Sequence, residues 1–113
     1  MKGKYKVAFI IPVGANKILG EDGWEFQTSN RLSGDIKEFL VDTLKLEFSE
    51  SYLGVDVYLN ENMKMSVIRD DQGQIESISF QLYEMTTTAL SDVFQTNCMA
   101  DKSELFIPHG EPA

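Results

Sequence analysis

Residues 55–84, VDVYLNENMKMSVIRDDQGQIESISFQLYE, hold three runs of alternating apolar and polar residues separated by two turn signals. Successive side chains on a strand point to opposite faces, so a period of two marks half-buried strands rather than a helix. Val55, Val57 and Leu59 alternate with Asp56, Tyr58 and Asn60, and Met63, Met65 and Val67 alternate with Lys64, Ser66 and Ile68. In the third run Ile78, Phe80 and Leu82 alternate with Ser77, Ser79, Gln81 and Tyr83. Asn60-Glu61-Asn62 supplies the first turn, because Asn readily takes turn conformations. Asp70-Asp71-Gln72-Gly73 supplies the second, with Gly73 free to take positive φ. The segment predicts a three-stranded antiparallel meander whose three apolar sets share one face.

Upstream, Tyr5, Val7, Phe9, Ile11 and Val13 fall on one side of a period-two run, which predicts a strand over residues 4–13. A loop marked by Gly14, Asn16, Gly20, Asp22 and Gly23 follows, and Trp24, Phe26 and Thr28 outline a short second strand. Ser33 has the character of a helix N-cap, and Asp35 sits where a carboxylate complements the helix dipole. Ile36, Phe39, Leu40 and Leu44 keep helical spacing, so the expectation is an amphipathic helix over 34–48, with Gly54 turning the chain out of it. Downstream, Leu90, Val93, Phe94 and Cys98 predict a second helix over about 87–99, and Leu105-Phe106-Ile107 a short closing strand. The order is β-(β)-α-β-β-β-α-β. It implies one α+β domain over 1–113, a two-layer sandwich of a largely antiparallel sheet with both helices on one face.

The 113 residues carry ten Lys and Arg against eighteen Asp and Glu, a net charge of −8. A chain of this length buries roughly two-thirds of its unfolded surface and needs neither disulfide nor metal to hold a core. The charge is directional: residues 1–45 sum to +1 and residues 46–113 to −9, with only Lys64, Arg69 and Lys102 interrupting the second half. Such an excess opposes general nucleic-acid binding, in which Lys and Arg neutralise phosphates. It suits either a solvated acidic surface or a patch that steers a basic protein partner. The start, Met1 to Val13, has the basic lead of a signal peptide, but its apolar run is short and broken by Pro12. No stretch approaches the roughly 20 apolar residues that span a bilayer. The expected location is the cytoplasm, with no membrane association.

Few residues offer catalytic chemistry. One Cys and one His exclude an internal disulfide and a zinc site built of those ligands. Cys98 belongs to an apolar helical stripe, where a thiol is usually a small buried hydrophobe, and His109 reads as a solvated tail residue. The glycines between Gly14 and Gly23 lack phosphate-loop spacing. Read as a calcium loop, the stretch ending at Gly73 would put Ile68 at the first ligand position, so it is read as a turn. No catalytic residue, metal or cofactor is expected. The candidate partner-binding residues are Asp56, Tyr58, Asn60, Ser79, Gln81 and Tyr83, on the polar face of the meander, where tyrosines offer large contact area and a hydroxyl.

The strand YKVAFIIPV, the helix GDIKEFLVDTLKLEF, the strand IESISFQLYE, the helix TTTALSDVFQTN and the closing LFIPHG also form a recognisable layout. It resembles small acidic bacterial immunity proteins of polymorphic or contact-dependent toxin systems, where a strand of the type IxxIxFxL precedes a helix and a short final strand. The resemblance implies a non-enzymatic inhibitor that neutralises a partner toxin by covering a basic surface. It carries no site residues with it. The alternatives are a structural or accessory subunit, a homodimer paired through a sheet edge or face among them, and a small enzyme with a carboxylate-based site.

Overall fold

The computed structural model describes residues 6–21, 23–83, 87–95 and 103–108. Over these the chain runs β1 (Lys6–Pro12), β2 (Asn16–Gly20), β3 (Gly23–Gln27), α1 (Gly34–Leu44), β4 (Glu47–Tyr52), β5 (Val55–Leu59), β6 (Met63–Arg69), β7 (Ile75–Leu82), α2 (Thr87–Gln95) and β8 (Ser103–Phe106). Six strands form one sheet in the order β4-β5-β6-β7-β1-β8, every neighbouring pair antiparallel, while β2 and β3 form a separate hairpin. The fold is α+β, as the periodicity predicts. Two strands are additional, β2 and β4.

The added β4 has a local cause. Ser33 caps α1 as expected, its Oγ accepting from the Asp35 backbone N–H at 3.1 Å. The helix then stops at Leu44 rather than at 48, because Lys45 turns left-handed (φ 56°) and its N–H closes onto the Val41 carbonyl. Leu46 N–H bonds the same carbonyl at 3.1 Å, and the Asn60 side-chain amide donates to the Leu44 carbonyl at 2.8 Å. With its last carbonyls satisfied, the chain leaves extended at Glu47. Gly54 does not lead out of the helix. Leu53 (φ 53°) and Gly54 (φ 78°) form a two-residue turn of the kind that matches strand twist, joining β4 to β5.

Register sorts the side chains. Phe48, Tyr58, Met65, Phe80 and Ala8 stand side by side across the strands, and so do Ser51, Asp56, Val67, Ile78, Ile10 and Leu105. These rows form the helix-covered face. Ile36, Leu40 and Leu44 of α1 and Leu90 and Phe94 of α2 pack there in one cluster with Ala8, Ile10, Met63, Met65, Val67, Ile78, Phe80 and Leu82. Each such large apolar side chain gains about 1.5–3 kcal/mol from leaving water, which is what joins helices to sheet.

On the opposite face the β2–β3 hairpin covers the β1–β8 end. Phe26 packs on Phe9 (ring centroids 5.1 Å apart) and Trp24 meets Phe106 edge-on at 4.9 Å. Lys17 ties the hairpin down through a 3.0 Å ion pair with Glu104. These hairpin contacts fall on β1 and β8 and leave the β4–β5 end of this face uncovered by the hairpin: Glu50, Tyr52 and Leu59 are exposed there, although Val57 and Ser77 are buried.

Candidate partner-binding surface

The six candidate residues do not share a face. On β6 and β7 the sequence reading holds, and Ser79 and Gln81 lie on the uncovered side. On β5 it is reversed. Asn60 N–H bonds the Met63 carbonyl at 3.1 Å, which leaves Glu61-Asn62 as a two-residue turn and pairs Tyr58 with Met65 and Asp56 with Val67. Val55, Val57 and Leu59 are therefore on the uncovered face, beside Ile68, Ser66 and Lys64. Asp56, Tyr58 and Asn60 are on the helix side. A turn one residue shorter moves every side chain of a strand to the other face.

Each of these three has a structural task. Tyr58 is half-buried against the core; it meets Phe48 edge-on at 5.6 Å, and its hydroxyl lies 3.5 Å from Lys37 Nζ, within reach of an N–H donation. Asn60 Oδ1 accepts from the Asn62 and Met63 backbone N–H groups at 2.7 and 3.0 Å while its amide holds the end of α1. Asp56 accepts from the Ser51 hydroxyl at 2.6 Å and from two nitrogens of Arg69 at 3.0 and 3.1 Å. The Ser51 hydrogen bond first, then Arg69 with the more distant Lys37, hold its carboxyl below the ordinary aspartate range, although burial works the other way.

Asp56 and Arg69 line a groove of about 650 Å³ beside the first turn of α1, together with Ser33, Asp35, Lys37 and Glu38. Its charges are largely engaged with one another: Arg69 with Asp56, Lys37 with Glu38 at 3.4 Å, and Ser33 with the helix backbone. At the neighbouring β6–β7 turn, Asp70 takes N–H bonds from Gln72 and Gln74 and an ion pair from Arg31 at 2.9 Å. Arg31 before the backbone donors lowers the Asp70 pKa. The stretch read as a turn rather than a calcium loop is thus a turn, with Gly73 at φ 83°. Among the described residues no three of His, Cys, Asp and Glu are grouped to hold a metal ion. Cys98 and His109 lie outside the described residues.

The surface that the sequence reading missed is the far edge of the sheet. Phe48, Tyr52 and Leu53 are 59%, 62% and 89% exposed, and Leu59 beside them is exposed as well. Large apolar side chains gathered at one edge are the unusual feature, since single exposed ones are common. Glu47 and Glu50 alternate with them, and residues 46–62 hold four carboxylates without one Lys or Arg. A β-bulge between Phe48 and Glu50 sets the arrangement. It places Glu47, Glu50 and Tyr52 on the uncovered face, opposite Leu59, Val57 and Val55, and leaves Phe48 and Ser51 on the helix side. The signal in the sequence was Tyr52-Leu53-Gly54-Val55, a two-residue turn between extended runs. The apparent continuation of the helix to Phe48 concealed it.

Comparison with protein-family models, with curated proteins and with solved structures finds no match. No described helix is long and apolar enough to cross a membrane.

Proposed function

We propose that this chain is a non-enzymatic protein-binding domain, an immunity-type inhibitor that covers a basic surface of a partner toxin in the cytoplasm. One observation carries the reading: Phe48, Tyr52 and Leu53 stand exposed among Glu47 and Glu50 at an end strand of the sheet. Aromatic anchors flanked by charge are the composition of a protein interface, where the aromatics supply contact area and the charges steer the encounter. Leu53 strengthens the case. It is an apolar side chain held in a left-handed turn, where Asn would suit both the backbone and the water. A residue that costs stability where it stands is a pointer to use.

The test is capture with the wild-type chain and with a Glu47→Lys/Glu50→Lys/Tyr52→Ala variant. The reading expects one stoichiometric partner, held by the wild type and released by the variant, with an association rate that falls as salt rises. Expressed alone, that partner should arrest growth, and co-expression of this chain should relieve the arrest. A partner that binds but is not inhibited, or repeated capture with no stoichiometric partner, removes the inhibitor reading.

A further inference from the structure

We propose that the outer edge of β4 is a strand-addition site for an extended partner segment whose residues alternate between basic and apolar. The proposal rests on the protein-binding reading above and specifies its mode. β4 ends the sheet, and no other described strand pairs with its outer side. Alternate backbone N–H and C=O groups of an end strand point outward and are available to a strand laid beside it.

The side chains fix the chemistry of that strand. Strand partners placed side by side put their side chains on matching faces, so an added strand continues the two faces of the sheet. On the uncovered face it meets Glu47, Glu50 and Tyr52, and on the helix side it meets Phe48 and Ser51. Cations therefore complement one alternation and apolar side chains the other. Without the bulge between Phe48 and Glu50 the two glutamates would fall on opposite faces, and no simple alternation would satisfy both.

A second copy of this chain is the wrong occupant. Antiparallel pairing of β4 with itself would bring Glu47 and Glu50 of both copies together on one face, and like charges set opposite each other are destabilising. Residues 46–62 of each copy would add two more carboxylates, Asp56 (held by Arg69) and Glu61, and contain no Lys or Arg of their own. The bulge and the charges that discourage self-pairing thus leave the edge open to a basic strand.

The probe is the peptide Val-Lys-Val-Lys-Val-Lys-Val, compared with the same sequence N-methylated on alternate residues and with a Glu-for-Lys version. Methylation removes main-chain donors but keeps the charge. The Lys peptide should shift the amide resonances of Ser49 to Tyr52 and slow hydrogen exchange along β4. The methylated peptide should bind at least about tenfold more weakly, and the Glu peptide should not bind. Glu47→Lys/Glu50→Lys should reverse the preference between the Lys and Glu peptides. Equal binding of the methylated and unmethylated peptides overturns strand addition while leaving a charge-steered interface, and hence the functional reading, in place. Shifts centred on β8, absence of binding, or a sedimenting dimer with protected β4 amides also overturn it. Failure of the functional reading is seen separately, in the capture experiment.

Discussion

Arg69 grips Asp56 with two nitrogens, Nε on one carboxylate oxygen at 3.0 Å and a terminal nitrogen on the other at 3.1 Å. The pair joins β6 to β5 at the mouth of the groove, and Ser51 of β4 completes the carboxylate's shell. Because the folded state lowers the Asp56 pKa, the contact favours folding above the unfolded value, near 3.8, and that contribution disappears as pH falls through the folded value. Asp70, lowered by Arg31, acts in the same direction. Urea midpoints measured between about pH 5 and about pH 3 should therefore fall more steeply for the wild type than for Asp56→Asn or Asp70→Asn. Parallel slopes in all three proteins would show that neither contact is formed in solution.

Asn60 joins two elements distant in sequence, the end of α1 and the β5–β6 turn, with three hydrogen bonds from one side chain. Asn60→Ala strands the Leu44 carbonyl and frees the turn amides, and it should cost about 1–3 kcal/mol in chemical denaturation. Asn60→Asp keeps the acceptor that orders the turn but sets a carboxylate oxygen, which cannot donate, against the Leu44 carbonyl. It should retain part of the stability. A full loss in both variants would place the whole effect at the helix end.

Leu53 sets stability against binding. An L-residue in the left-handed region costs roughly 1–2 kcal/mol, which Asn largely avoids, so Leu53→Asn should raise the unfolding free energy by about 1 kcal/mol. It should at the same time weaken the captured partner, because it removes the most exposed apolar side chain of the edge. Gly54→Ala should do the reverse for stability, costing about 1–2 kcal/mol. Its φ is +78° and the added Cβ would lie 3.2 Å from the Arg69 carbonyl. A Leu53→Asn protein that gains stability and binds unchanged would remove Leu53 from the interface.

The elements that could be read from the sequence are those whose pattern was self-contained. In β6 and β7 the apolar sets Met63/Met65/Val67 and Ile78/Phe80/Leu82 meet across the strands, because a one-residue register shift at Glu76, next to the Asp70–Gln74 turn, brings them into phase. Ser33 and Asp35 marked the start of α1 for the same reason, since a cap acts within a few residues. The end of α1 was not legible. It depends on Asn60, far away in sequence, and on a left-handed Lys45 that no local rule favours. The faces of β5 were lost to one residue of turn length, because Val55, Val57 and Leu59 are as apolar as a core set and only pairing with β6 decides their side. That error carried Asp56, Tyr58 and Asn60 into the candidate interface and left Tyr52 and Leu53 out.

The two tyrosines at the β4–β5 end separate the corrected surface from the one the alternation predicts. Tyr58 pairs with the fully buried Met65 and packs against the core cluster, whereas Tyr52 pairs with Val55 on the uncovered face and is mostly in water. Tyr58→Ala should therefore open a partly buried cavity and destabilise the fold by about 2–4 kcal/mol, somewhat below the cost for a fully buried aromatic. Tyr52→Ala should change the urea midpoint little, since exposed substitutions away from special features stay within about 0.5 kcal/mol. Against the captured partner the order should invert, with Tyr52→Ala accelerating dissociation and Tyr58→Ala, measured where it remains folded, leaving the rate close to that of the wild type. If Tyr58→Ala instead releases the partner without loss of stability and Tyr52→Ala does not, the interface lies on the helix side, at Phe48 and the ring it packs on, and Tyr52 has no part in it.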